Sequence, residues 1–451
     1  MNKIISSTKE KVFYAFGNMG SYILWVFMAS YITVYATDCL QLSSDGWAYG
    51  VLGTIIIVCR FFDGLSDIGM GIIIDRTKTK FGKARPWFGL SLIPLSLVFF
   101  FVFFLKGNSE TTALIQLGIL YFLFTVIFYT MNNISFNAMM PLISNDSYDQ
   151  TKISTLDSIF TSVGGLAAAM AIPILSMLGG SDSQNSWTIL VGILALFALL
   201  TQGICFLGIR EKKEIVPSES KKASKEDIRK GFKALMKTKY FYIAIAMFLI
   251  NYYISLSVSS VGKYYAQWIL GNANYSSLMA SLPMITMAIG LILTPMMTKK
   301  LGKRKSIMVA VSFVLLGNIV GSLVPSSLVI ALVGAMIKGF GLANVMCELY
   351  TLAPDIVRYV QWKSGIRVEG LAASANSFGC KIGSGIGSAV VIWAIALCHY
   401  NAQAVTVSSA TITTFTALYW WIPTVLSAVL LFLASRWDIE EVMDKGDKTH
   451  E

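Results

Sequence analysis

The chain has 451 residues, of which 55% are apolar and 14% charged, with a formal net charge of +11 and a mean hydropathy of +0.65. Soluble domains carry about 25% charged residues, so the composition excludes a soluble globular protein and describes a polytopic membrane protein. The two histidines, His399 and His450, and six cysteines without metal-type spacing speak against a histidine relay or a cysteine metal centre.

The polar start, MNKIISSTKEK, runs into an apolar stretch too long for a signal-peptide core. Twelve stretches read as membrane-spanning helices: 12–36, 47–74, 87–105, 112–142, 154–177, 187–209, 240–268, 274–298, 306–323, 327–357, 369–398 and 413–435. An even number places both termini on one side. Lys3, Lys9 and Lys11, the run RTKTKFGKAR (76–85), residues 210–239, KKLGKRK (299–305), Lys363, Arg367 and the tail all fall on one set of loops, and Lys106 stands alone on the other. The positive-inside rule makes the first set, and both termini, cytoplasmic in a cell (inner) membrane. The +11 is therefore a topology signal, and no nucleic-acid partner is expected.

Residues 210–239, with eleven Lys/Arg, divide the chain into a six-helix bundle over 1–209, a cytoplasmic central loop, and a six-helix bundle with a short tail over 240–451. Within the loop, EDIRKGFKALMK suits an amphipathic helix on the inner leaflet or a solvated linker equally well. The halves echo one another. Phe81-Gly82-Lys83 with Arg85 follows the second span, and Leu301-Gly302-Lys303 with Arg304 follows the eighth. Repeats of this kind build transporters that rock around a midplane site.

Charges inside the spans carry the chemistry. In span 2, Arg60, Asp63 and Asp67 interrupt an apolar run, and each central charge costs about 2.5–3.5 kcal/mol on insertion scales. Their spacing of three and four puts them on one helical face. Two carboxylates one turn apart suit a hard cation or a proton; the competing reading is a structural ion pair between helices. Span 4 holds Asn132, Asn133, Ser135 and Asn137, with Thr130 on the side of Asn133 and Asn137. Amides suit sugar hydroxyls, and equally suit hydrogen bonds between helices. Span 5 holds Asp157, one turn inside its cytoplasmic end, with Gly164 and Gly165 beyond it. Span 7 ends in SSVGKYYAQWILG, where Lys263, Tyr264, Tyr265, Gln267 and Trp268 read as an interfacial aromatic belt with a snorkelling lysine, or alternatively as a sugar-stacking platform. Span 10 carries Lys338 and Glu348, ten residues apart and without an assigned role. Span 11 carries Lys381 at mid-depth, preceded one turn earlier by Asn376 and Ser377; such a lysine needs a carboxylate partner, with Asp63, Asp67 and Asp157 available, or a depressed pKa. There is no Walker A loop, HExxH, GxSxG or dinucleotide fingerprint, so neither ATP, a cofactor nor enzymatic chemistry is expected.

Four segments together resemble the glycoside–pentoside–hexuronide:cation symporters of the major facilitator superfamily: RFFDGLSD (60–67), RTKTKFGKARPW (76–87), YTMNNISF with Pro141 (129–141) and WKSGIRVEGLAASANSFGCKIGSG (362–385). The resemblance runs from FGNMGSY (16–22) to the end of span 11. It implies an all-α fold of twelve transmembrane helices in two pseudo-symmetric six-helix bundles. It also implies that Asp63 and Asp67 (the metal ligands if the ion is Na⁺) hold the coupling cation with Thr130. Ser66 stands where the family has asparagine. Lys381 falls on the lysine near cation and sugar, and Arg60 joins it among the coupling charges. The family's sugar-gripping aspartates of spans 1 and 4 read Tyr22 and Asn133 here, its span-4 tryptophan reads Asn137, and its span-5 arginine reads Asp157. Arg358 and Gln361 stand where the family has acidic residues. The sugar site is therefore expected to be rebuilt from Tyr22, Asn133, Asn137, Asp157, Asn376, Ser377, Lys381 and Lys263, with Asp157 taking over the carboxylate role.

The expected function is symport of a sugar or glycoside with a monovalent cation, Na⁺ or H⁺, by alternating access in the lipid bilayer. An anionic sugar (a hexuronide or sulfonated sugar) is the alternative substrate. A lipid carrier and a non-transporting sugar sensor are further readings.

Overall fold

The computed structural model describes residues 5–42, 46–104, 109–144, 146–212, 233, 236–364, 369–402, 404, 406–439 and 441–443. The amphipathic segment expected within the central loop lies outside them. Eleven helices among the described residues are long and apolar enough to cross a membrane. A further helix, Trp47–Arg76, spans 30 residues but carries Arg60, Asp63 and Asp67 in its middle. The chain is a multi-pass membrane protein.

Two compact units form: Met1–Ser218 with Ile392–Val407, and Glu219–Val391 with Ser408–Glu451. In unit 1, α1 runs Thr8–Val34 and opens on a capping box in which the Ser7 hydroxyl accepts from the Glu10 amide while the Glu10 carboxylate accepts from the Ser7 amide. α2 (Trp47–Arg76) starts at Gly46, whose φ of +84° favours glycine. α3 covers Arg85–Val102. α4 (Glu110–Phe122), a π-helical stretch (Leu123–Tyr129) and α5 (Thr130–Ile143) form one continuous fourth span. α6 (Ser147–Ala169) and α7 (Ala171–Leu178) make the fifth, and α8 (Gln184–Gly208) the sixth. α1 packs chiefly on α6 and α8, around a core that includes Tyr14, Phe88, Phe136 and Met139.

Unit 2 contains α9 (Lys239–Trp268), α10 (Tyr275–Leu301), α11 (Lys303–Leu323), α12 (Leu328–Tyr350), α13 (Leu352–Ser364) and most of α14 (Glu369–Leu397). Its last span is α15 (Ser409–Thr416), a π turn (Ala417–Trp421) and α16 (Ile422–Ser435). α11 and α12 approach backbone to backbone. A Cβ on Gly334 would lie 2.6 Å from the Gly321 nitrogen, which is the small-residue contact that packs helices where lipid supplies no hydrophobic drive.

The Gly-Lys echo has a shared structural meaning. In unit 1 the Glu211 carboxylate, just past the sixth span, accepts the amides of Lys83 (2.7 Å), Ala84 (2.8 Å) and Arg85 (2.6 Å). The Arg85 guanidinium donates to the Phe206 carbonyl at 2.9 Å. In unit 2 Arg304 donates to the Ser435 carbonyl (2.5 Å), at the end of the last span, and to Glu441 just beyond it (2.7 Å). Each half thus ties the loop after its second span to the end of its sixth.

Candidate cation and substrate site

α2 and α5 bring the charged and hydroxyl groups of unit 1 together. Asp63 is 1% exposed and Arg60 3%. One turn apart on the same helix, they pair at 3.5 Å, Arg60 Nη1 to Asp63 Oδ2. This pair lies within α2, at a spacing of three. The opposite carboxylate oxygen, Oδ1, accepts from the Thr130 hydroxyl at 2.9 Å. Ser66 Oγ lies 3.0 Å from Thr130 Oγ1 and donates to the Asp63 carbonyl at 2.9 Å. Asp67 is half-buried one turn further along α2. Tyr129, the residue before Thr130, lies within electrostatic range of Asp63, Arg60, Tyr22 and Asp67.

The local fold explains why Thr130 faces α2. The π-helical stretch before it adds residues to the turn and rotates everything that follows relative to α4. Thr130 Oγ1 consequently lies 3.2 Å from the Thr125 carbonyl, five residues back. The result is a set of hard oxygens: the Asp63 carboxylate, two hydroxyls and two main-chain carbonyls. That chemistry fits a small hard cation or a proton and offers nothing to a soft metal.

The span-4 amides divide between two tasks. Asn132 is fully buried and joins four helices. It accepts from Ser21 of α1 (2.8 Å) and donates to Ser91 of α3 (2.9 Å) and Gln202 of α8 (2.7 Å). Ser135 turns back on the Met131 carbonyl at 2.5 Å. These two are structural. Asn133 and Asn137 face the other way; Asn137 is exposed and donates to Asn133 Oδ1 at 3.2 Å, so both keep hydrogen-bonding capacity for a ligand.

Asp157 on α6 is half-buried, and Asn18 of α1 donates to both its oxygens, at 2.8 and 2.9 Å. No cation pairs with it among the described residues. Asn18 is a partner that composition did not single out, although it lies in FGNMGSY and faces inward four residues from Tyr22. Tyr22 itself is half-buried, its ring 6.0 Å from that of Trp25.

Unit 2 corrects one expectation. Tyr264 and Tyr265 are fully buried and form neither an interfacial belt nor a sugar platform. Tyr264 stacks on Phe415, with ring centroids 5.4 Å apart, and Tyr265 on Tyr419 at 4.3 Å. The Tyr265 hydroxyl donates to the Pro325 carbonyl (2.5 Å) and accepts from Trp420 Nε1 (2.9 Å). The π turn before α16 rotates Tyr419 and Trp420 inward, and no sequence period announces it. Lys263 is 6% exposed, with its ammonium 5.5 Å from the Tyr264 ring centre, so it does not snorkel. Lys381 is half-buried on α14. Asn376 and Ser377 belong to the same helix, but their side chains lie outside the described residues.

The model of the family described as MFS/sugar transport protein matches residues 13–441. An isoprimeverose transporter of Lactiplantibacillus pentosus is 26% identical, over 94% of this chain and 87% of its own. A putative glycoside/cation symporter of Escherichia coli (strain K12) is 25% identical, over 96% of this chain and 92% of its own. Among solved structures, that of a D-xylose-proton symporter superposes with a TM-score of 0.66 at 12% identity, covering 93% of this chain and 96% of that one, a likeness of fold alone. With a nearly all-helical fold among the described residues and a family match over nearly its whole length, the chain belongs to the MFS/sugar transport family of the major facilitator superfamily and is a membrane transporter rather than an enzyme.

Proposed function

We propose that this protein is a cation-coupled symporter of a sugar or glycoside in the cell membrane, with both termini and the segment 210–239 cytoplasmic. The observation that carries the reading is the oxygen cluster of Asp63, Ser66 and Thr130, counter-charged by Arg60 and placed inside a span. The relatives named for isoprimeverose and for glycoside/cation symport support sugar as cargo and a cation as its partner.

In this mechanism the ion, Na⁺ or H⁺, binds at Asp63 and Asp67 with Ser66 and Thr130 as neutral ligands. Asn133 and Asn137 offer amides to sugar hydroxyls, and Asp157, oriented by Asn18, supplies the charge-assisted acceptor. Lys263, Asn376, Ser377 and Lys381 are assigned to the substrate, and Lys381 and Arg60 to coupling. Only an ion that prefers the sugar-competent state can drive it, and sugar then tightens ion binding by the same factor.

Counterflow in proteoliposomes against a sugar panel, with and without Na⁺ at two pH values, tests the assignment. Sugar exchange that responds to one of the two ions is expected, with uronic acids competing more weakly than their neutral counterparts. Exchange indifferent to both ions overturns the coupling, and stronger competition by the uronic acid moves the substrate class to anionic sugars.

A further inference from the structure

Tyr264 and Tyr265 are spent on packing, but α9 offers another tyrosine to α12. Tyr252, near the middle of the 30-residue α9, is half-buried. Its hydroxyl lies 2.8 Å from that of Tyr350 on α12. Tyr350 is 51% exposed, although it sits well inside the 36-residue span Leu328–Lys363.

Three helices of unit 2 build this corner. Gly379 and Gly383 let α14 close on α9: a Cβ on Gly379 would lie 2.8 Å from Phe248 Cβ, and one on Gly383 2.5 Å from the Leu249 carbonyl. That approach sets the Cys380 thiol in hydrogen-bonding contact with both tyrosine hydroxyls, and Lys381 is the next residue. Phe248 holds the two rings in place. Its own ring lies parallel to that of Tyr252, 6.5 Å away at 20°, and meets that of Tyr350 edge-on, 5.6 Å away at 73°. The polar face continues along α9. Ser255 is half-buried and Ser259 exposed, three and seven residues beyond Tyr252 and therefore on the same side of the helix.

Such a face is ill suited to lipid. Hydroxyls and an ammonium inside a span belong against protein or along a water-filled path. The chemistry suits a sugar instead. A tyrosine hydroxyl both donates and accepts, as a sugar hydroxyl does, and the ring beside it offers an apolar surface to the C–H face of a pyranose. Because Phe248 and Cys380 already hold both side chains, little rotamer freedom is lost on binding.

We propose that Tyr252 and Tyr350 form the aromatic platform on which unit 2 receives the sugar ring, and that the Tyr350 hydroxyl reads one sugar hydroxyl. The inference rests on sugar as the cargo, and it adds specificity-determining residues on α9 and α12 that no motif marks.

The unfolding temperature of the purified full chain in mixed micelles tests it. Wild type, Tyr252→Phe, Tyr350→Phe and Tyr350→Leu are titrated with the methyl α- and β-glycosides of xylose, glucose, galactose and glucuronic acid, and with monodeoxy analogues of those that bind. The half-saturating glycoside concentration should rise about 2- to 10-fold in Tyr350→Phe, which loses one hydrogen bond, and about tenfold or more in Tyr350→Leu, which loses the ring as well. One monodeoxy analogue should bind wild type more weakly than its parent but Tyr350→Phe equally well, a difference that a purely structural tyrosine does not produce. The response to NaCl or to pH, whichever wild type shows without sugar, should stay within threefold. Glycoside binding within twofold of wild type in all three variants overturns the platform and leaves sugar transport standing. Identical deoxy penalties in wild type and Tyr350→Phe overturn the role of the hydroxyl. Loss of the ion response in Tyr350→Phe makes the pair structural and overturns the proposal as well. A wild type that answers none of the glycosides overturns the sugar reading itself, and the platform with it.

Discussion

Thr130→Val removes a hydroxyl that touches both Asp63 and Ser66 while keeping side-chain volume. Thr130 Oγ1 donates to Asp63 Oδ1 at 2.9 Å and lies 3.0 Å from Ser66 Oγ. A hydrogen bond to a charged acceptor contributes about 1.5–3 kcal/mol, and each 1.4 kcal/mol is about tenfold in binding, so the half-saturating cation concentration should move by about 10- to 150-fold. The sign depends on the ion. For a proton, the hydroxyl stabilises the ionised, unloaded carboxylate; valine removes that stabilisation, and binding tightens. For Na⁺, the hydroxyl oxygen is itself a ligand; valine removes it, and binding weakens. Because a ligand that binds only the folded state stabilises it in proportion to the logarithm of its concentration, the unfolding temperature of purified protein reports both. It should be titrated with NaCl against choline chloride at fixed pH, then with pH in the absence of Na⁺. Half-saturation within threefold of wild type for both ions would refute the role of Thr130, and with it the cluster as the cation site.

Asn132→Leu should lower stability by about 2 kcal/mol, from three interhelical hydrogen bonds at about 0.6 kcal/mol each, read by denaturant unfolding in mixed micelles; no loss would mean that the four-helix junction is dispensable. Asp157→Asn should weaken sugar binding by about tenfold or more, since a charge-assisted bond is lost, while leaving cation half-saturation in place; unchanged sugar affinity with transport intact would sink the carboxylate assignment. Outside the spans, burial pushes the Asp149 carboxyl up, but the Lys11 ammonium and the Ser6 hydroxyl and amide outweigh it and hold it well below the usual carboxylate range. Its contribution is therefore present above the unfolded value of about 3.9 and lost as pH falls towards the folded one. Asp149→Asn should be less stable than wild type at pH 7, with the gap closing as acid unfolding is followed below about pH 4; a gap independent of pH would refute the assignment.

The number and placement of the spans follow from the one-dimensional arrangement of apolar runs and basic loops. A bilayer imposes a length on every helix and a charge bias on every loop, and neither needs tertiary contacts to be legible. The triplet of Arg60, Asp63 and Asp67 is visible for the same reason: in an apolar run a charge stands out, and a spacing of three and four implies a shared face. What each side chain touches was decided elsewhere. The π-helical stretches before Thr130 and after Thr416 rotate the following turns, so a fixed helical period cannot say that Thr130 meets Asp63, or that Tyr419 and Trp420 turn inward to cover Lys338. Asn132 and Asn133 are adjacent and chemically identical, yet one is spent on holding four helices and the other is left for a ligand, because a helix turns about 100° between them. Asn18 as partner of Asp157, Glu211 as cap of the loop at Lys83 to Arg85, and the Tyr252–Tyr350 contact all join residues far apart in the chain. Composition marks such residues as polar, and only packing decides whether that polarity meets a neighbour, an ion or a sugar.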